Sequence, residues 1–142
     1  APSVFCDGVP NSLGCTPSIS WSGSPTMTGL DDFVISGDNF LNRAYGVLMY
    51  STTPDSLPLG PGTLCLSGRM YLVPAILSGG STGTPGSNCS GSYGNPLTQA
   101  WFAQQSYSVG TTVYVQYISR DGGFAAPNNL SLSDGLRFTI QP

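Results

Sequence analysis

The segment from Thr111 to Asp121 is the feature that most limits the folds open to this chain. Its β-branched and aromatic residues alternate strictly, with Val113, Val115 and Tyr117 on one side and Thr112, Tyr114, Gln116 and Ile118 on the other. A period of two residues is that of a β-strand, because successive side chains of a strand point to opposite faces of a sheet. Gly110 precedes the segment and Gly122-Gly123 follows it, as expected at strand ends. The sequence therefore predicts a central strand of a β-sandwich here.

The charged residues support an all-β fold by their identity. Only 8% of the residues are charged, against about 25% in ordinary soluble domains. The positive charges are all arginine and the negative ones all aspartate, so the chain contains no lysine, glutamate or histidine. Lysine and glutamate are good helix formers that usually cover the exposed side of helices. Their absence, with 19 glycines and 12 prolines, favours strands joined by turns.

Further strand-like segments recur along the chain at intervals of about 10–15 residues. They are Thr16–Ser22, Asp31–Ser36, Tyr45–Tyr50, Thr63–Ser67, Arg69–Leu77 and Leu136–Ile140. The run Tyr45–Tyr50 is nearly all apolar, which predicts burial on both faces. We expect about eight strands in an antiparallel β-sandwich, either immunoglobulin-like or jelly-roll-like.

Four other segments carry the signals of turns or loops, and a fifth is ambiguous. Gly37-Asp38-Asn39 and Ser133-Asp134-Gly135 are predicted to be turns. Ser51–Gly62 contains three prolines and is predicted to be a loop or an edge. Ser78–Pro96 has the composition of a flexible linker and is predicted to be a long surface loop. Leu97–Gln105 is predicted to be a strand, with a single helical turn as the alternative.

The four cysteines indicate disulfide bonds. Four cysteines allow three pairings, of which the local one, Cys6–Cys15 with Cys65–Cys89, is preferred here. No two cysteines have CxxC spacing and no histidine is present, which disfavours a zinc site. Disulfides imply an oxidising compartment, so we expect a secreted, extracellular or cell-surface protein. Residues 1–15 are expected to form an N-terminal arm with a small disulfide loop, and residues 16–142 a single sandwich domain with a long loop at 78–96.

Several short motifs, in order, resemble a known type of module. They are Asn11-Ser12-Leu13-Gly14, Gly46-Val47-Leu48-Met49-Tyr50, Gly62-Thr63-Leu64-Cys65-Leu66, Tyr117-Ile118-Ser119-Arg120-Asp121 and Asn129-Leu130-Ser131-Leu132-Ser133-Asp134-Gly135-Leu136. Together they resemble a small β-rich module found near the C-termini of large secreted proteins of environmental bacteria. The resemblance implies an extracellular sandwich without a known catalytic role, and it assigns no functional residues.

Several classes of function are disfavoured. A net charge of −3 without a basic cluster argues against nucleic acid as a partner. No apolar run approaches the ~20 residues of a membrane-spanning helix. A Ser/His/Asp or Cys/His arrangement is excluded because there is no histidine. We therefore expect a protein that is not an enzyme and that has no cofactor, with calcium as the one ion worth testing.

The candidate calcium ligands are side chains of predicted loops. One group is Asp31, Asp32, Asp38 and Asn39, and a second is Asp121, Asn128 and Asn129. Loop carboxylate and amide oxygens suit calcium, but turn-forming aspartates bonded to their own backbone are the more ordinary interpretation. Arg120 beside Asp121 predicts an ion pair at the strand end.

Exposed aromatic residues and sequons are the remaining candidates for binding or modification. Trp101 and Tyr114 are candidate surface aromatics that could stack on sugar rings or anchor a protein interface, although core packing explains most aromatics. Asn88-Cys89-Ser90 and Asn129-Leu130-Ser131 fit the N-glycosylation pattern, so Asn88 and Asn129 are candidate acceptors.

Taken together, these observations predict a non-catalytic extracellular structural protein that assembles with copies of itself into a fibre, layer or matrix. The nearly charge-free composition leaves little repulsion between copies and none of the lysines that usually guard sheet edges. Val4 and Phe5 form an apolar pair in the predicted arm that could add to a neighbouring copy. The alternative function is a carbohydrate-binding or adhesive module that uses surface Trp and Tyr, with polysaccharide as the partner.

Overall fold

The computed structural model describes all 142 residues and is an all-β fold with one short helix, α1. The elements, in chain order, are β1 (Ser3–Phe5), β2 (Ser18–Ser22), β3 (Val34–Phe40), β4 (Tyr45–Ser51), β5 (Thr53–Leu59), β6 (Gly62–Ser67), β7 (Tyr71–Leu72), β8 (Ile76–Leu77), β9 (Gly91–Pro96), α1 (Gln99–Gln104), β10 (Thr112–Arg120) and β11 (Leu130–Thr139). The structure thus confirms a disulfide-stabilised antiparallel sandwich, with eleven strands where about eight were predicted.

The strands form two packed sheets and a separate ribbon. The main sheet has the order β1-β11-β10-β4-β7, and β8 also pairs with β4. The small sheet has the order β2-β3-β9, and the ribbon is the hairpin β5-β6. Strand β10 lies in the middle of the main sheet, as the alternation of Thr111–Asp121 predicts.

The hydrophobic core lies between the main sheet and the small sheet. From β10 it takes Val113, Val115 and Tyr117, which are fully buried. The Tyr117 ring stacks on Tyr93 of β9 with ring centroids 5.5 Å apart, and its hydroxyl donates to Asn95 Oδ1 at 2.7 Å. This burial raises the pKa of the Tyr117 phenol, so the hydroxyl remains a donor that ties the two sheets together.

The opposite face of the main sheet, called here the outer face, is covered over only part of its area. The ribbon β5-β6 covers this part of the face, and the fully buried side chain of Gln116 connects the ribbon to the sheet. Gln116 Oε1 accepts from the Cys65 amide at 2.9 Å, and Gln116 Nε2 donates to the carbonyls of Thr63 and Ser133 at 2.8 and 2.7 Å. The polar face of the predicted central strand is therefore buried at Gln116, while Thr112, Tyr114 and Ile118 on the same face are half-buried.

The N-terminal segment is joined to the body, and both predicted disulfides are wrong. The bonds are Cys6–Cys65 and Cys15–Cys89 instead of Cys6–Cys15 and Cys65–Cys89. Cys6 follows β1, which pairs with β11 and so carries Cys6 to the ribbon on the outer face. The chain-entropy model assigns roughly 4 kcal/mol to each of these loops, more than to the short loops of the local pairing.

Residues 1–15 are consequently part of the body and not a separate arm. Besides the disulfides, Ser12 donates from its amide and its hydroxyl to the carboxylate of Asp121, at 2.8 and 2.5 Å. Asp121 is fully buried and also accepts from the Gly123 amide at 3.1 Å. Arg120 is exposed, so these hydrogen bonds, and not the predicted ion pair, fix the strand end.

Two polar triplets predicted to be turns lie at irregularities inside long strands. The pairing of β3 with β9 shifts between Gly37 and Phe40, and Asn39 has a φ of +62°. The pairing of β10 with β11 shifts opposite Ser133-Asp134-Gly135, where the Tyr117 amide donates to Ser133 Oγ at 3.1 Å. Bulges use the same small, polar residues as turns because both depart from the extended conformation.

The structure also tests the predictions for three other segments. Ser51–Gly62 contains β5, so the edge alternative is correct. The preferred strand at Leu97–Gln105 is wrong, because Gln99–Gln104 is helical with Thr98 as N-cap, whose Oγ1 accepts from the Trp101 amide at 3.0 Å. Ser78–Pro96 ends in β9, whose inward residues Gly91, Tyr93 and Asn95 alternate with exposed ones.

One buried asparagine organises the glycine- and serine-rich loop. Asn42 is fully buried; its Nδ2 donates to the carbonyls of Ser81 and Thr84 at 3.2 and 3.1 Å. Its Oδ1 accepts from the amides of Ser87 and Asn88 at 2.8 and 3.1 Å. A segment with the composition of a linker is thus ordered around a single amide group.

We expect Asn42→Ala to lower the free energy of unfolding by about 2–4 kcal/mol, because it removes four hydrogen bonds between a buried amide and the backbone of the loop. Denaturant unfolding measures this. The matched control is Asn128→Ala, since Asn128 is exposed, and a change within about 0.5 kcal/mol is expected there. Equal effects of the two substitutions would contradict the role assigned to Asn42.

The carboxylate of Asp134 predicts a pH dependence of stability. Burial raises the pKa of Asp134 above 3.8. The hydrogen bond that Asp134 Oδ1 accepts from the Ile19 amide at 2.8 Å lowers this pKa, and the nearby charge of Asp7 raises it further. The native state therefore binds this proton more readily than the unfolded state, so the contribution of Asp134 to stability falls as pH rises.

We expect wild type to gain stability relative to Asp134→Asn as pH is lowered from 7 towards 3, because only the carboxyl can take up the proton. The asparagine keeps the oxygen that accepts from Ile19. Paired chemical denaturation curves across this range measure the difference. A difference that shrinks on acidification would show that the sign is wrong.

Candidate functional site

Val4 and Phe5, the predicted assembly arm, are used within their own chain. Both lie on β1, where Val4 pairs with Leu136 and Phe5 with Gly135 of β11. The Phe5 ring lies so close to Gly135 that a Cβ there would be 2.7 Å from it. Val4 stays 47% exposed, but its strand is not free to clasp a neighbour in this structure.

Trp101 and Tyr114 do not form one aromatic surface. Trp101 is half-buried on α1 and packs edge-on against two tyrosines. Its ring centroid lies 4.9 Å from that of Tyr50 and 6.0 Å from that of Tyr107. Tyr114 is half-buried on the main sheet, edge-on to Phe5 at 5.4 Å. The two candidate surface aromatics therefore pack against different partners and do not act as one stacking surface.

The first predicted group of calcium ligands is divided among separate structural roles. Asp31 Oδ1 accepts from the Gln99 amide at 2.9 Å, and Asp32 Oδ1 accepts from the Ser24 amide at 3.1 Å. Asp38 and Asn39 lie on β3, and Asn39 Nδ2 donates to the Thr16 carbonyl at 3.5 Å.

The second calcium group is also engaged or dispersed. Asp121 is occupied by Ser12 and Gly123, as described above, and Asn128 is exposed. No three Cys, Asp, Glu or His side chains come together in a way that could hold a metal ion.

The two sequon asparagines lie in different environments. Asn88 is half-buried; its Nδ2 donates to Ser81 Oγ at 2.6 Å, and its Oδ1 accepts from the Ser90 amide at 3.0 Å. Asn129 is half-buried just before β11, and its carbonyl accepts from the Asp121 amide at 3.0 Å. The Asn88 amide is thus engaged in its own loop.

The part of the outer face that the ribbon leaves uncovered carries an apolar surface. We call it the outer patch and define it as Tyr45, Val47, Leu77, Ile118 and Leu130. Tyr45 is 62% exposed and Leu77 is 44% exposed, and the two are paired across β4 and β8. Val47 and Ile118 are paired across β4 and β10 and are half-buried. Four residues of the patch, all but Leu77, line a mostly apolar groove of about 360 Å³, with Arg120 at its side.

A second, polar concavity lies where the end of β4, the turn before β7 and the end of α1 meet. We call it the Arg69 cleft; it has a volume of about 420 Å³ and is lined by Thr52, Arg69, Tyr71, Gln104, Gln105 and Tyr107. The Arg69 guanidinium lies 5.6 Å from the centroid of the Tyr71 ring. Behind these residues, the Tyr50 ring stacks on Tyr71 with ring centroids 5.5 Å apart, and the Tyr50 hydroxyl donates to Gln105 Oε1 at 2.8 Å.

Two tyrosines at the cleft, Tyr50 and Tyr107, remain protonated donors. Burial raises the pKa of Tyr50 above 10.0, and the neighbouring Tyr71 adds to the rise. Burial likewise raises the pKa of Tyr107, with smaller contributions from Tyr50 and Tyr71. The cleft therefore offers one fixed positive charge surrounded by neutral hydrogen-bonding groups.

Sequence reasoning missed both surfaces for identifiable reasons. The run Tyr45–Tyr50 predicts burial on both faces of its strand, but Tyr45 is 62% exposed and Val47 is half-buried. The prediction fails there because the extent of the covering ribbon is not encoded locally. The Arg69 cleft joins residues more than 30 positions apart. The only sign of the cleft in the local sequence is that Arg69 lies close to the aromatic residue Tyr71.

Comparison of the chain with known protein families, curated proteins and solved structures finds no match. No helix of the structure is long and apolar enough to cross a membrane. The two disulfides are compatible with an extracellular location.

Proposed function

We propose that this protein is a non-catalytic structural subunit of an extracellular assembly, in which copies associate through the outer patch. The outer patch carries the proposal, because it combines exposed apolar side chains with a groove on the face of the main sheet. Exposed apolar patches on soluble domains commonly mark interaction surfaces. The absence of histidine and the scarcity of charge also support it.

The edges of the main sheet and the β5 edge of the ribbon are less suited to association than the outer patch. Strand β1 has three residues, and β7 and β8 have two residues each. The exposed strand β5 contains Pro54 and Pro58, which cannot donate to a neighbouring strand. Short edge strands and prolines are the usual protection against edge-to-edge pairing. Association is therefore assigned to side chains of the outer patch and not to an added strand.

The occupant of the outer patch is the β5 strand of a second copy. Two outer patches facing each other would bring two Arg120 side chains together, and like charges oppose association. Strand β5 instead carries the exposed pair Asp55 and Leu57, which supplies an opposite charge and an apolar side chain for the groove. This contact joins two different surfaces, and such contacts build open filaments when the rotation between copies does not close a ring.

We expect Leu77→Asp to raise the concentration needed for self-association at least about tenfold, because it places a charge in an interface that excludes water. The matched control is Leu30→Asp, since Leu30 is 79% exposed and lies outside the patch. Sedimentation velocity over a concentration series, with electron microscopy of concentrated samples, measures association. Wild type that stays monomeric throughout, or equal effects of the two variants, would overturn the proposal.

Charge reversal tests the orientation of the contact. Asp55→Arg and Arg120→Asp are each expected to associate poorly alone, because each places like charges at both sides of the contact. Mixed in equal amounts, they are expected to assemble, because every contact between the two variants then joins opposite charges. Asp7→Arg, at another exposed aspartate, controls for the change in net charge.

The same sedimentation assay reads out both single variants and their mixture. A mixture that associates no better than the single variants would exclude the contact between β5 and the outer patch. Association through two facing patches would instead appear as normal assembly of Asp55→Arg alone.

A further inference from the structure

We propose that the Arg69 cleft binds an anionic sugar unit of an extracellular polysaccharide, through its carboxylate or sulfate group and its ring hydroxyls. The cleft shares no residue with the outer patch, so this proposal is independent of self-association. It also differs from a stacking platform of Trp101 and Tyr114, which the structure does not form.

The anion is assigned from Arg69, the only charged residue that lines the cleft. Its guanidinium lies over one face of the Tyr71 ring, and Tyr50 stacks on that ring as well. A cation held over an aromatic ring keeps its planar fork oriented, and the fork matches the paired oxygens of a carboxylate or a sulfate. None of the seven aspartates lines the cleft to neutralise this charge.

The sugar is assigned from the neutral groups that surround Arg69. The Tyr50 hydroxyl donates to Gln105 Oε1 and so fixes which end of this amide is engaged, leaving Nε2 as a donor. Gln104 and Thr52 are exposed, and Tyr107 adds a protonated hydroxyl. Amide and hydroxyl groups beside aromatic rings suit a ligand that both donates and accepts hydrogen bonds around an apolar ring.

The size and charge of the cleft favour a sugar over smaller or larger ligands. Its volume of about 420 Å³ is within the range of small-ligand sites and exceeds what a single inorganic anion needs. Only one cation is present, which suits a monoanionic ring better than a dianionic phosphate. A chain of such rings extends into solvent through the open side of the cleft, which is consistent with recognition of one unit in a polymer.

Isothermal titration calorimetry of the full chain at low ionic strength tests the proposal. The probes are a uronic-acid trisaccharide, a sulfated trisaccharide, a neutral trisaccharide, sodium sulfate and an acetylated dipeptide with a free C-terminal carboxylate. We expect one or both anionic sugars to bind at least about tenfold more tightly than the other three probes. The stronger of the two identifies the natural source of the anion.

Substitutions at two arginines separate a specific site from general attraction of charge. Arg69→Gln and Arg137→Gln change the net charge equally, and both side chains are exposed. Arg69→Gln is expected to weaken binding of the anionic sugar at least about tenfold, and Arg137→Gln to change it less than about twofold. Arg69→Lys is expected to recover part of the loss, because it restores the charge without the fork.

Unchanged melting of each variant establishes that the fold is intact. Equal weakening by the two glutamine variants, or equal affinity for sodium sulfate, the dipeptide or the neutral sugar, would overturn the proposal. So would the absence of heat for all probes up to about 10 mM, far above the affinities expected of a working site. None of these outcomes depends on whether copies of the chain associate.

Discussion

The side-chain amide of Gln116 holds the layers of this protein in place. It lies fully buried in the central strand and bonds three backbone groups, two of them on the ribbon β5-β6. These bonds keep the ribbon over one part of the outer face, and the ribbon brings Cys65 to Cys6. The position of the N-terminal segment therefore depends on this contact, and so does the limit of the apolar surface that remains uncovered. A buried polar residue thus determines which part of the outer face stays exposed.

Buried amides take the place of surface charge as organisers of this chain. Asn42 bonds four backbone groups of the loop after β8, as Gln116 bonds the ribbon. Asn11 acts in the same way near the N-terminus, where its Oδ1 accepts from the amides of Leu13 and Cys15. Each amide is both donor and acceptor, so one side chain can satisfy backbone groups that no strand pairs with. A composition typical of a flexible linker can therefore fold into a fixed conformation.

The sequence predicted those features that arise from local periodicity. The alternation in Thr111–Asp121 determines which side chains enter the core, and it correctly placed the central strand of a sandwich. Ser133-Asp134-Gly135 was misjudged because a turn and a bulge favour the same residues. The pairing of Cys6 with Cys65 depends on where β1 pairs in the sheet. The short separation between cysteines in the sequence therefore did not predict the disulfides. The cleft around Arg69 arises from three segments that only the tertiary fold brings together, and no local pattern encodes such a site.

The disulfides also determine how the molecule would carry tension. The shortest covalent path from the first residue to the last crosses at Cys15–Cys89 and leaves out residues 16–88. A pulling force applied at the two ends therefore bypasses the small sheet strands β2 and β3, the ribbon and strand β4, which form a shielded loop. Only the short N-terminal stretch and the part after Cys89 can be drawn out. About half of the chain is therefore protected from extension by this covalent shortcut.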